Sequence, residues 1–381
     1  MINPIPRDMH RLSSGFCTAM LLALCACLWA GTGSAAAGAV QYQVFFGHVH
    51  NHSNVSDGKG SPEKAYSDAQ HVAGLDFFGL SDHAERMNAE EWERVKTVAQ
   101  SHNQEGVFVT FWGFEWSHYT HGHVTVIQSD DYTSARKSDT NTFAGLVAWL
   151  SARNAIAFFN HPGRQEKTGA EFGHFNTSPS PRFVGIDLFN KIDGFDTYYY
   201  NDGYHPDDGN KGYYDEALSA GWRVGAAGSD DNHRGTWGSR SEYRMAVLAT
   251  EKTRSAITDA LVSRRFYATL DKNLSLSFEI CGQQMGADLE AGRCECVIRA
   301  ADGDSEVFEQ VMLIKNGSLN RVWHPYDKAP VVAFPLTVRS GEIYYVKVTQ
   351  ADGNEAISSP IWVHDPADLP TVSAPAQPPR P

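Results

Sequence analysis

The chain has 381 residues, 42% of them hydrophobic and 12% aromatic, so it can bury sizeable cores and wholesale disorder is excluded. With 32 Lys and Arg against 45 Asp and Glu, its formal net charge is −13, which argues against nucleic acid or an anionic membrane bound through a broad basic surface. Histidine is the unusual item: of 16, 13 fall between His48 and His233, and neutral imidazole is the commonest metal ligand.

Residues 1–37 read as a secretory signal. Arg7 and Arg11 give a positive start, Phe16 to Ala30 an apolar stretch, and Ala35-Ala36-Ala37 a cleavage site. The stretch is shorter than the roughly 20 residues of a spanning helix. Export to the periplasm or the extracellular space is therefore expected, with no stable membrane span.

Over residues 38–272 short apolar runs alternate with helical stretches. The runs at 44–46, 77–80, 107–112, 124–127, 155–159 and 224–227 predict buried strands. The stretches at 62–73, 89–100, 141–153, 213–220 and 255–264 predict amphipathic helices, the first opened by Ser61-Pro62-Glu63. Such alternation predicts an α/β domain with a largely parallel sheet or barrel. Pro162 to Gly194 lacks periodicity and reads as an active-site excursion. After Asp271 the texture turns to short strands punctuated by Asp302-Gly303, Asn316-Gly317 and Asp352-Gly353, which predicts a small β-sandwich over 273–365. Residues 366–381 read as a disordered Pro-rich tail. Cys281 and Cys294 flank a turn and suit a hairpin-closing disulfide in an oxidising compartment, with Cys296 as the alternative partner or all three as buried thiols.

Metal-competent residues form six clusters, five of them at or just past the C-terminal ends of these strands: His50-Asn51-His52 with Asp57, Ser81-Asp82-His83, Glu115, Asn160-His161 and Asp230-Asp231-Asn232-His233, while His121-Gly122-His123 opens the run at 124–127. In α/β barrels that face builds the active site. The donors His50, His52, Asp57, His83, Glu115, His123, His161, Asp231 and His233 over-supply one ion and suit two or three divalent ions. Histidine with carboxylate and no thiolate fits zinc, manganese or iron and a hydrolytic centre. Neither a Gly-x-Ser-x-Gly elbow nor a P-loop occurs.

These clusters resemble the PHP (polymerase and histidinol phosphatase) superfamily. Gly47 to Gly58, with His50, His52 and Ser56-Asp57-Gly58, looks like its first motif. Ser81-Asp82-His83, Glu115, His161-Pro162 and Asp231-Asn232-His233 look like the later ones. His48 stands where the family usually has Asp and carries no ligand role over. Phe266-Tyr267-Ala268-Thr269 and the β-rich segment after it resemble the secreted branch of carbaryl-hydrolase-type (CehA/McbA-like) metallohydrolases. The resemblance spans about residues 44–363. It implies a distorted (β/α)7 barrel with a di- or trinuclear site. One ion would sit on His50, His52, Glu115 and Asp231, a second on Glu115, His123 and His161, and a third on Asp57, His83 and His233.

The favoured expectation is an exported phosphoesterase that uses metal-activated water on a phosphate mono- or diester. The substrate would be a small-molecule or lipid- or glycan-linked ester. Glu115 and Asp231 would act at the metals, and His118, Arg164, His205 and Arg234 on the substrate side. One alternative is a carboxyl- or carbamate-ester hydrolase with an aromatic pocket drawn from Trp112, Trp116, Tyr119 and Tyr198 to Tyr200. Another is a non-catalytic metal-binding or surface-adhesion module.

Overall fold

The apolar runs of the first half become strands, and the amphipathic stretches become helices. The computed structural model describes residues 40–161, 178–190 and 212–365. In chain order the first half runs β1 (Gln43–His48), α1 (Pro62–His71), β2 (Phe77–Leu80), α2 (Ala89–His102), β3 (Val109–His118), β4 (Gly122–Ile127), α3 (Phe143–Ser151), β5 (Ile156–Phe159), β6 (Phe183–Asn190), α4 (Tyr213–Ser219), β7 (Gly225–Ser229), β8 (Arg244–Ala249), α5 (Arg254–Val262) and β9 (Phe266–Thr269). Helix starts are set locally. Ser61 caps α1 ahead of Pro62, and Asn88 with Glu91 forms a reciprocal capping box on α2.

β1, β2 and β3 are parallel, as are β5, β6 and β7. β4 runs antiparallel to both its neighbours. The turn joining it to β3 is far too short for the crossover that a parallel pair requires. β8 runs antiparallel to β1, and β9 antiparallel to β8. The strands therefore form a mixed α/β sheet, in which parallel pairs are interrupted by the antiparallel β4, β8 and β9. Among the described residues no continuous ladder closes the ring. Beyond their ends, β1 and β7 are joined by an isolated parallel bridge, Asn51 to Asn232. Two glycines permit close approach. A Cβ on Gly47 would sit 2.0 Å from Phe77 O, and one on Gly228 2.1 Å from Arg244 O.

The predicted excursion at 162–194 needs correction. It contains β6, every residue of which is buried. Gly185, Asp187 and Asn190 interrupt its apolar run and hide the strand. Residues 162–177 and 191–194 lie outside the described residues, as do the signal (1–37) and the tail (366–381).

The second half is all strand: β10 (Leu274–Ile280), β11 (Gln283–Gln284), β12 (Asp288–Glu290), β13 (Gly292–Asp302), β14 (Phe308–Lys315), β15 (Ser318–Trp323), β16 (Val331–Val338), β17 (Ile343–Gln350), β18 (Glu355–Ser358) and β19 (Ile361–His364). One sheet has the order β11-β10-β13-β16. Its inward residues Leu274, Leu276, Phe278 and Ile280 share a core with Leu313, Val346 and Val348 of the other sheet. That other sheet continues into the first half, because β18 pairs with β9. Cys281 and Cys294 are disulfide-bonded, their Cα atoms 5.1 Å apart, and Cys296 is a buried free thiol. Burial pushes the Cys296 thiol up to about 12, which leaves it inert. No helix among the described residues is long and apolar enough to cross a membrane.

Asp271, between β9 and β10, gives a pH prediction. Burial, with the neighbouring Asp302 and Glu242 carboxylates, pushes its carboxyl up to about 6, although the Asn273 N–H it accepts opposes this. A carboxyl raised on folding costs stability once ionised. The cost is absent below the unfolded value and complete above the folded one. Asp271→Asn keeps an acceptor and is expected to raise the Tm at pH 8 but not at pH 4. An equal shift at both values would contradict this.

Candidate metal centre

Chain geometry brings the donors to one rim. His50 and His52 follow β1, His83 follows β2, His161 follows β5, and Asp231 and His233 follow β7. Glu115 and His123 lie on the β3–β4 hairpin, with Ser117 opposite His123. Asp82 staples the loop that carries Asp57. Its carboxylate accepts from Ser53 N (2.7 Å), Ser53 Oγ (2.7 Å), Ser56 N (3.2 Å) and Ser56 Oγ (2.7 Å). His161 and Asp231 have positive φ, 30° and 42°, a strained state for non-glycine residues that clusters at functional sites.

Glu115 is the hub, fully buried. Its Oε1 lies 3.2 Å from His50 Nε2, 3.1 Å from His123 Nδ1 and 3.5 Å from His161 Nε2. Its Oε2 lies 2.6 Å from His83 Nδ1 and 3.5 Å from His52 Nε2. Asp231 Oδ1 is 3.2 Å from His50 Nε2, 3.0 Å from His52 Nε2 and 3.6 Å from His233 Nδ1. Asp57 Oδ1 is 3.3 Å from His233 Nε2 and 3.7 Å from His83 Nε2.

Four overlapping groups result: His52, Asp57, His83 and His233; His50, Glu115 and His161; His50, His52 and Asp231; and His83, Glu115 and His123. Within each, one donor atom per residue lies within 4.8 Å of the others. Together they contain all nine expected donors. The partition implied by the resemblance is blurred, since His50, His52, His83 and Glu115 each belong to two groups.

The electrostatics are those of a charge-dense pocket. Burial opposes ionisation of Glu115, yet His83 and His123 hold its carboxyl well below the usual range. Burial likewise opposes Asp231, and His50 and His52 hold it well below. Burial would depress His83, but Glu115, then Asp57 and Asp231, push it up to about 9. Burial would depress His50 too, and Asp231, Asp187 and Glu115 raise it well above normal. His52 ends lower than normal, because burial outweighs its carboxylates.

The donor set fits divalent cations. His52 Nε2 is buried and 3.0 Å from Asp231 Oδ1 yet has no well-aligned hydrogen-bond partner among the described residues, as a ligand atom aimed at a shared point would. Cation binding must displace the protons that His50 and His83 carry without metal. Zinc uptake at pH 7 is therefore expected to release protons, fewer as the pH passes about 9 and His83 is already neutral. Calorimetry in buffers of different ionisation enthalpy reads this. Uptake with no proton release at pH 7 would contradict it.

Several neighbours fall out of the centre. His48 Nδ1 bonds Asn51 Nδ2 and joins none of the four groups. Asp230 turns to Asn232 Nδ2, Ser241 Oγ and Gly238 N. His118, expected on the substrate side, joins none of the four groups and helps build the β3–β4 turn. Strand alternation puts it on the face opposite Glu115 and Ser117. It stacks on Trp116, and its Nδ1 accepts from Thr120 N and His121 N. Trp116 is buried in the core with its Nε1 on Thr140 O, and Trp112 gives its Nε1 to Ser129 O under Arg254. Neither ring has the site-lining role that the aromatic-pocket alternative gave it. Tyr119 is exposed. Arg234 is exposed beside His233. Arg164, His205 and Tyr198 to Tyr200 lie outside the described residues.

Sequence reasoning missed four supporting groups. Asn160 Oδ1 accepts from Thr125 N, which aims its Nδ2 at Glu115 Oε1 (2.6 Å) and His50 Nε2 (3.1 Å). Ser117 Oγ is 2.6 Å from His83 Nδ1. Asp82 is described above, and Asp187 contacts His50. Asn160 and Asp82 adjoin ligands in motifs already visible, so adjacency was a usable signal. For Asp187 there was none.

A family model described as a protein of unknown function (DUF3604) matches residues 63–156. An uncharacterized protein of Chlamydia pneumoniae is 24% identical over 360 residues, 84% of this chain and 57% of its own length. One from Chlamydia muridarum is 26% identical over 136 residues, 31% of this chain and 22% of its own. The chain thus spans little more than half the length of the first of these relatives and far less of the second. Among solved structures, a two-domain protein of Bacteroides vulgatus, described as containing a predicted PHP-like metal-dependent phosphoesterase, aligns at 17% identity and TM-score 0.47, covering 86% of this chain and 100% of that one. PsfC from Pseudomonas syringae aligns at 15% identity and TM-score 0.40, covering 59% of this chain and 89% of that one.

Proposed function

We propose that this chain is an exported, metal-dependent hydrolase of phosphate mono- or diesters. The observation that carries the reading is the convergence of six histidines and three carboxylates in four overlapping groups, with Glu115 in two of them. Two or three ions would be shared among His50, His52, Asp57, His83, Glu115, His123, His161, Asp231 and His233. Such ions supply Lewis acidity at a phosphoryl oxygen and lower the pKa of water. The chain's own part is to hold Glu115 and Asp231 ionised, to keep His50 and His52 buried at fixed positions, and to present Asn160 Nδ2 as a hydrogen-bond donor beside Glu115.

An anionic substrate is favoured by the rim. The Arg86 guanidinium lies 3.3 Å from Asp57 Oδ2 and is largely exposed, so it can meet a phosphate oxygen at the mouth of the centre. Export is supported by the signal-like residues 1–37 and by the Cys281–Cys294 disulfide. The test uses the purified full chain on p-nitrophenyl phosphate, bis(p-nitrophenyl) phosphate and p-nitrophenyl acetate, with and without a chelator. Chelator-sensitive phosphate-ester cleavage is expected. Cleavage of the acetate alone would replace this reading with a carboxyl-ester hydrolase, and bound metal with no turnover would replace it with a binding module.

A further inference from the structure

Asp187 is a buried carboxylate next to the centre that belongs to none of the donor groups. Asp187 lies in the middle of β6, on a strand whose residues are all buried. Its Oδ2 is 2.9 Å from His50 Nδ1. The same oxygen accepts from Asn190 Nδ2 and Ser229 Oγ, each at 3.1 Å. Asn190 Nδ2 also donates to Ser229 Oγ at 2.9 Å, so carboxylate, amide and hydroxyl brace one another. A carboxylate can only accept, so His50 Nδ1 must carry the proton of that contact. His50 Nε2, on the other side of the ring, faces Glu115 Oε1 and Asp231 Oδ1, both at 3.2 Å.

We propose that Asp187 is the positioning residue of the centre. It fixes the tautomer and plane of His50, so that the Nε2 lone pair points at the ion shared with His52 and Asp231, and Asn190 and Ser229 hold Asp187 in place. This rests on the metal reading above. Imidazole ligands commonly give their second nitrogen to a carboxylate, which raises ligand basicity and removes rotational freedom. The location explains a local oddity: an acidic side chain sits within a fully buried strand because its Oδ2 is met by His50, Asn190 and Ser229.

The test is zinc affinity of the full chain, measured by competition with a chromophoric chelator, with the visible spectrum of the cobalt-substituted protein as second readout. Asp187→Ala is expected to weaken the tightest site by about 10- to 100-fold and to alter the cobalt bands. Asp187→Asn keeps an acceptor oxygen and is expected to fall between Asp187→Ala and the parent. It carries the test if the alanine variant does not fold. Parent-like affinity and spectra in the folded variants would overturn the assignment while leaving the metal reading intact. A parent chain that takes up neither zinc nor cobalt would overturn both.

Discussion

Replacing Glu115 by alanine is expected to lower phosphate-ester kcat/KM by about 10³-fold or more, roughly 4 kcal/mol of transition-state stabilisation, and to reduce the ions held per chain. The reason is position. Its two oxygens face His50, His123 and His161 on one side and His52 and His83 on the other. Without the carboxylate, five imidazoles lose their common anion, and like charge is left to repel where it had been neutralised. Glu115→Gln separates shape from charge. It keeps an oxygen among the histidines and is expected to fold as well as the parent, yet to bind ions more weakly. Elemental analysis with steady-state kinetics checks both variants. Full ion content with full activity in Glu115→Ala would remove this residue from the centre.

The largest effect on stability is expected at Trp222. Its ring is fully buried, with centroids 5.9 Å from Phe143, 5.1 Å from Phe159 and 5.4 Å from Phe183. Truncating a buried aromatic of this size leaves a cavity that rigid neighbours fill poorly. Trp222→Ala should therefore cost about 3–5 kcal/mol in a denaturant titration. Trp222→Phe should cost much less, because its Nε1 is buried without a hydrogen-bond partner among the described residues and the smaller ring removes that unpaired donor. The loss should reach the site as well. Phe159 ends β5, and Asn160 and His161 follow at once. Equal stability of Trp222→Ala and the parent would contradict this packing account.

What the sequence revealed followed where periodicity was clean. The run Leu274 to Ile280 alternates buried and half-buried residues, and the helix opened by Ser61 and Pro62 starts where its cap predicts. The nine donors were legible because they sit in short motifs beside strand ends. Three things were hidden, each for a physical reason. β6 was missed because Gly185, Asp187 and Asn190 break its apolar run, and two of these serve the site: Asp187 through His50, and Asn190 through Asp187. The turn contacts of His118 were hidden because they depend on the alternation of β3, which turns its ring away from the face that carries Glu115. The antiparallel course of β4 was hidden because an apolar run gives a strand but not its direction, and it is the short turn between His118 and Gly122 that makes β3 and β4 a hairpin.

On this reading the rim of the sheet holds a polynuclear divalent-metal centre. Its most direct measurement is the metal content of the purified full chain after equilibration with zinc, manganese or iron and removal of the excess. Two or three ions per chain are expected, lost to a strong chelator or on acidification below about pH 5 as the imidazoles protonate. A chain that retains no ion, or retains as much after His50, Glu115 and Asp231 have all been replaced by alanine, would contradict it.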